Sequence, residues 1–176
     1  MKKTLLILTV LISSLAASAQ NTSTSYIEKF KDDAVRIMHE SGIPASIVLA
    51  VAMHESGCGN STLAKQFNNQ FGVKGLDKHV LIVHNNKKKL TPYKKYGSVM
   101  DSFEDFSRII TGRRQLSYLQ DLTHYDYVGW AKGIQKSGYA ASHTWSKQVL
   151  GLITKYHLNL FDENPADQQP VIAKAQ

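Results

Sequence analysis

Cysteine is almost missing from this chain: its 176 residues include one, Cys58, so an intrachain disulfide is impossible and cysteine cannot complete a thiolate metal site. Proline is scarce, with 4 residues, and no collagen-like or low-complexity run occurs. Apart from one N-terminal stretch, no apolar run approaches the roughly 20 residues of a membrane-spanning helix. Acidic residues are outnumbered by Lys and Arg, 14 against 21, and none lies between His79 and Met100. The resulting charge of +7 admits an anionic partner, nucleic acid or envelope polymer, without choosing between them. With 43% hydrophobic residues, what remains is one ordinary globular domain stabilised by its own core.

Lys2-Lys3, the apolar run from Leu5 to Leu15 and the small triplet Ala17-Ser18-Ala19 have the order of a secretory signal. Cleavage is expected after Ala19, which divides the chain into a signal peptide (1–19), one domain (20–161) and a mobile tail (162–176). The processed protein is then exported, periplasmic or extracellular, with no integral membrane segment. Cys58 lies outside the signal, which excludes lipid anchoring at a cysteine of the cleavage point.

Hydrophobic spacing predicts an amphipathic helix over Tyr26 to Glu40, stopped by Gly42, and an almost wholly apolar, central helix over Ala45 to Ser56, stopped by Gly57. A short helix over Ser61 to Gln66, capped by Asn60 or Ser61, leads into the loop Asn68-Asn69-Gln70-Phe71-Gly72. Short β-prone runs, His79 to Val83 and Leu90 to Tyr93, flank Asn85-Asn86 and read as a hairpin with Lys87 to Lys89 as a solvated tip. Ser98 with Asp101 three residues on opens a further helix that runs towards Gly112, and two more are expected over Tyr125 to Lys136 and Ser142 to Tyr156. The class is α+β and mainly helical, with one small hairpin lobe.

One residue conflicts with this pattern. Glu55 lies one turn after Val51 and two turns after Val48, on their apolar face and not on a charged stripe. Burial disfavours the ionised form of a carboxyl group, which is how enzymes keep a carboxylic acid ready to donate near neutral pH. Glu55 is on that ground a general-acid candidate; the alternative is a solvated residue at a frayed helix end. Gly57 and Gly59 beside it allow close approach of backbone or ligand, and the Asn-rich loop that follows reads as a cleft wall. His54-Glu55 is not followed by a histidine at zinc-protease spacing, so no metal is expected.

Pro44 to Ala50, His54-Glu55-Ser56-Gly57-Cys58-Gly59-Asn60-Ser61, Leu63-Ala64 and Asn68-Asn69-Gln70-Phe71-Gly72-Val73-Lys74-Gly75 together resemble glycoside hydrolase family 73, the bacterial endo-β-N-acetylglucosaminidases. The resemblance continues through Tyr93-Lys94-Lys95-Tyr96, Ser102 to Asp105, Gly138-Tyr139-Ala140 and Trp145, covering roughly Tyr26 to Leu160. It implies a lysozyme-like fold that cleaves the β-1,4 bond after N-acetylglucosamine in peptidoglycan strands, with no cofactor and no nucleic-acid partner. Glu55 falls on the family's catalytic glutamate and Tyr139 on its active-site tyrosine; Asn69, Phe71, Lys74, Tyr93 and Tyr96 are the substrate-binding candidates. Cys58 stands where the family usually has an aromatic, leaving Phe71, Tyr93 or Tyr96 to stack on sugar.

The second carboxylate that many members carry in the β lobe has no counterpart in the hairpin; Asp77, just before it, is the only nearby candidate. A substrate-assisted route, in which the sugar's own 2-acetamido group attacks, is therefore expected to leave Glu55 as the essential acid. The competing readings are a muramidase or lytic transglycosylase on the same fold and a catalytically inactive wall-binding module.

Overall fold

The computed structural model describes the backbone of residues 20–84 and 87–163, without the side chains of 77–89. The described residues form six α-helices, two strands and two 3-10 helices, the mainly helical α+β class expected from sequence. The signal segment and residues 164–176 lie outside this description.

Helix α1 (Ser23–Ser41) starts at a capping box in which Thr22 and Ser25 satisfy each other's backbone N–H groups, and it ends at Gly42, whose φ of +77° suits glycine. Its apolar stripe, Tyr26, Ile27, Phe30, Ala34, Ile37 and Met38, is buried against α2 (Ala45–Ser56). Every residue of α2 from Ala45 to Met53 is buried, which is what a helix apolar on all sides requires. Pro44 precedes α2 and offers it no side-chain cap. That role is filled from 116 residues away: Asp162 accepts the Ser46 N–H at 2.8 Å and the Ser46 hydroxyl at 2.6 Å. Asp162 is thus buried in the domain, closing a 3-10 helix over Leu158–Asp162, and the expected boundary at 161 falls one residue inside the fold.

Helix α3 (Thr62–Phe67) is capped by Ser61, which accepts from the Ala64 N–H. Strands β1 (Lys74–His84) and β2 (Lys87–Tyr93) pair antiparallel, with Val80 opposite Thr91 and Leu81 opposite Leu90. Lys87 to Lys89 are paired with His84, Val83 and Ile82, so they belong to the strand and not to a tip: the ladder is made by the main chain and continues whatever the side chains are. Asn85 and Asn86 lie outside the described residues. The register shifts between Lys74 and Lys78, an irregularity at the hairpin's base.

Helix α4 (Val99–Gly112) opens on the expected Ser98–Asp101 capping box. A 3-10 helix over Arg114–Asp121, absent from the sequence reading, buries Leu116 and Leu119 three residues apart. Helix α5 (Tyr127–Lys136) starts two residues later than expected because Asp126 caps it through the Gly129 N–H, and α6 (Trp145–Tyr156) follows a Ser142–Thr144 turn. A contiguous row of rings runs through the core from α1 to α6: Tyr26, Phe30, Phe103, Phe71, Phe106, Tyr139 and Trp145, with successive centroids 4.3 to 5.9 Å apart.

Candidate active site

The aromatic row ends on a carboxylate. Glu55, in the last turn of α2, is half-buried, and its Oε1 accepts the indole N–H of Trp145 at 2.7 Å. The helix end that carries it is locked. Gly57, Cys58 and Gly59 all adopt left-handed backbone, at φ of +59°, +55° and +75°, so the chain reverses at once after the helix. Ser56 fixes that reversal by donating to the Ala52 carbonyl at 2.6 Å and accepting the Gly59 N–H at 2.7 Å. Glu55 therefore does not sit on a frayed, solvated terminus.

Of the close approaches by backbone or ligand expected at Gly57 and Gly59, the one the structure shows is at Gly59 and is made by a helix. A Cβ at Gly59 would stand 3.1 Å from the Tyr26 ring, so its smallness admits α1, and neither glycine lines the cleft described below. Cys58, in the family's aromatic position, is turned towards the Ser23 hydroxyl at 3.5 Å and likewise stays out of the cleft.

Glu55 opens onto a cleft of 860 Å³ that runs between the base of the hairpin, the end of α4 and the α5–α6 segment. Among the described side chains that line it, Glu55 is the sole carboxylate, against four cations: Lys74, Lys94, Arg108 and Arg113. Tyr139 is half-buried on the wall beside Trp145, the ring centroids 5.4 Å apart, and its hydroxyl donates to the Phe71 carbonyl at a long 3.5 Å. Burial first, and then the Glu55 charge, push the Tyr139 hydroxyl well above its ordinary pKa, outweighing the opposite pull of Arg113. Tyr139 is thus a neutral O–H donor at any physiological pH.

The structure brings Glu55, Tyr139, Phe71 and Lys74 together and leaves the other candidates outside. Phe71 is 3% exposed, its ring stacked on Phe106 at 4.3 Å and edge-on to Phe103, so it supports the cleft floor and presents no free stacking face. Asn69 is 1% exposed and fully occupied: its amide donates to the Val73 and Lys94 carbonyls and its oxygen accepts the Val73 N–H. It braces the loop from inside the fold. Tyr93 pairs across the ladder at the hairpin's base, and Tyr96 donates to Asp105 Oδ2 at 2.7 Å; neither lines the cleft.

That Asp105 is a pivot. It also accepts Lys94 Nζ at 2.8 Å and an Arg108 nitrogen at 3.4 Å. Burial pushes its carboxyl up, but the hydrogen bonds from Lys94 and Tyr96 and the charges of Lys94 and Arg108 outweigh it and hold Asp105 below the usual carboxylate range. Sequence reasoning took Trp145 as part of the family resemblance and did not see its bond to Glu55. The available signal was chemical: a buried indole N–H needs an acceptor, and a buried carboxylate needs a donor.

A small hairpin lobe beside a helical lobe, with one glutamate at the end of the central helix facing the cleft between them, defines a lysozyme-like domain. The profile of the glucosaminidase family, described as mannosyl-glycoprotein endo-β-N-acetylglucosaminidase, matches residues 31–158, and the chain belongs to that family, glycoside hydrolase family 73. It is 31% identical over 153 residues to the exo-glucosaminidase LytG of Bacillus subtilis, covering 80% of this chain and 54% of the relative. Among solved structures, an N-acetylmuramoyl-L-alanine amidase from Staphylococcus aureus superposes with a TM-score of 0.69 at 26% identity, covering 83% of this chain and 45% of that one. The catalytic domain of the Listeria monocytogenes autolysin Auto superposes at 0.63, covering 84% and 92%, and at 24% identity shares the fold. The chain thus spans about half the length of LytG and of the Staphylococcus structure.

Proposed function

We propose that this protein is an exported peptidoglycan hydrolase that cleaves the β-1,4 bond after N-acetylglucosamine, with Glu55 as general acid. The observation that carries the proposal is the Glu55–Trp145 pair facing a basic cleft in a chain of this family. An indole nitrogen can only donate, so Oε1 is an acceptor in either protonation state of Glu55 and the acidic proton resides on Oε2. Trp145 in this way selects which oxygen delivers the proton.

In the first step Oε2–H protonates the glycosidic oxygen as the bond from that oxygen to C1 breaks, and the leaving strand departs with a new hydroxyl. The 2-acetamido carbonyl oxygen of the same sugar bonds to C1, giving an oxazolinium. Water then adds at C1, the oxazolinium ring opens, and a proton returns to the Glu55 carboxylate. Support for this route comes from the cleft wall, where Glu55 has no carboxylate partner among the described side chains. The side chain of Asp77 lies outside the described residues. Tyr139, kept protonated by its surroundings, donates a hydrogen bond that holds the reacting sugar.

The decisive experiment digests purified peptidoglycan with the processed protein, reduces the new ends with borohydride and identifies them by mass spectrometry. N-acetylglucosaminitol ends support the reading, whereas muramitol or anhydromuramic ends assign a muramidase or transglycosylase and no new ends an inactive module. Retention at C1 supports the acetamido route, and dominant inversion excludes it. Export through residues 1–19 is tested by detecting the chain outside the cytoplasm, with an N-terminus at Gln20.

A further inference from the structure

The four cations of the cleft are not equivalent. Lys94 is ion-paired to Asp105 at 2.8 Å, and Arg108 reaches Asp105 at 3.4 Å and Glu104 at 4.0 Å. Lys74 and Arg113 line the same cleft with no ion pair to any described side chain. Arg113 is half-buried, immediately after α4 ends at Gly112, and lines the cleft together with Tyr139 and the proposed acid Glu55. A partly desolvated guanidinium with a planar array of five donors is matched by a carboxylate more closely than by sugar hydroxyls. A cleft built to hold only a neutral polysaccharide has no use for two lining cations that no described carboxylate pairs.

Resting on the reading of the cleft as a peptidoglycan site, we propose that Arg113, assisted by Lys74 in the same cleft, reads a substrate carboxylate. Peptidoglycan strands carry that group in one of two places: on the lactyl ether of a muramic acid that bears no peptide or, where the lactyl carboxyl is amide-linked, on the stem peptide. Chitin-type chains have the same β-1,4 linkage and no carboxylate, so Arg113 makes the cleft specific for anionic glycan. Selection against the neutral chain arises because it leaves Arg113 desolvated and unpaired.

The test measures binding by titration calorimetry in the full chain carrying Glu55→Gln, which prevents turnover. Three ligands are compared: chitohexaose, peptide-free peptidoglycan strands bearing only the lactyl carboxylate, and peptide-bearing strands. The parent is expected to bind an anionic strand at least about tenfold more tightly than chitohexaose at low salt, the scale of one charge-assisted hydrogen bond. Adding Arg113→Gln should remove about tenfold for the anionic ligand and less than about twofold for chitohexaose, and Arg113→Lys should restore part of the difference. Loss already seen with peptide-free strands identifies the lactyl group as the one read; loss confined to peptide-bearing strands identifies the stem. Equal weakening of neutral and anionic ligands, an unchanged preference, or no binding of any of the three overturns the proposal. In the Glu55→Gln chain with Arg113 intact the preference should also shrink as salt rises, a readout independent of whether an Arg113 variant folds. Discriminating binding with no cleavage by the Glu55 form would remove the hydrolase reading and leave this one standing.

Discussion

Trp145→Phe is the substitution that separates positioning from packing at Glu55. It keeps an aromatic ring beside Tyr139 and removes the N–H that Glu55 Oε1 accepts at 2.7 Å. A hydrogen bond to a carboxylate in a part-buried site contributes about 1.5–3 kcal/mol, and the smaller ring leaves a void in a side chain that is 2% exposed. Together they should lower folding stability by roughly 2–4 kcal/mol, inside the ~5–15 kcal/mol of a typical domain, so the variant folds. Freed from its donor, the carboxyl group samples other rotamers and presents either oxygen. A misplacement of about 1 Å is worth on the order of 10²-fold in rate, so kcat should fall between about 10-fold and 100-fold, with KM within about threefold. The assay is release of reducing ends from soluble strands, combined with the same change in a Glu55→Gln background. There the acid is already gone, and removing its positioning donor should alter the residual rate by less than about threefold, a non-additivity that isolates the coupling. If Trp145→Phe multiplies the Glu55→Gln loss by its full single-variant factor, or leaves kcat at the parental value, Trp145 does not orient the acid.

Glu55→Gln retains an amide oxygen to accept from Trp145, so thermal unfolding should change little while turnover falls by on the order of 10² or more; a folded variant with parental activity removes Glu55 from the chemistry. Tyr139→Phe deletes a hydroxyl whose one protein bond is 3.5 Å long, so stability should move by less than about 1 kcal/mol, whereas kcat should drop at least about tenfold if that O–H holds the sugar. Burial, opposed by the bonds from Ser46, raises Asp162 from 3.8 to about 6. The native state then holds this proton to a higher pH than the unfolded chain, so the contribution of Asp162 to stability is greatest below 3.8 and falls by roughly 3 kcal/mol as pH rises through about 6. Denaturant melts of Asp162→Asn should lose that slope, and an unchanged slope assigns it elsewhere. Asp105 acts with the opposite sign: its depressed carboxyl stabilises above 3.8 and that contribution is lost as pH falls further, so Asp105→Asn should be less acid-sensitive.

What the sequence made legible is what neighbours in the chain decide. The stripe from Tyr26 to Met38, the apolar circumference of Ala45 to Met53 and the Ser98–Asp101 capping box are each complete within a few residues, and the helices fall where those signals put them. Apart from the start of α5 and the 3-10 helix before it, the misses are non-local. Nothing near Pro44 announces that α2 takes its cap from Asp162, so the end of the domain was set one residue short. Asn69 sits in loop chemistry that suits a ligand or a brace equally, and only the fold supplies the carbonyls of Val73 and Lys94 that make it a brace. Lys87 to Lys89 look solvated because lysine composition reports on side chains, while strand pairing is settled by backbone groups common to every residue but proline. The site itself lies between these extremes. Glu55 was visible as a carboxylate on an apolar face, whereas Trp145 stood out among the residues that carry the family resemblance and its N–H went unread. Ninety residues separate them, yet each supplies what the other lacks, a donor for the acid and an acceptor for the indole. Complementary polar demands on two buried faces are therefore evidence for a contact that periodicity cannot provide, and in this chain that contact is where the chemistry is proposed to occur.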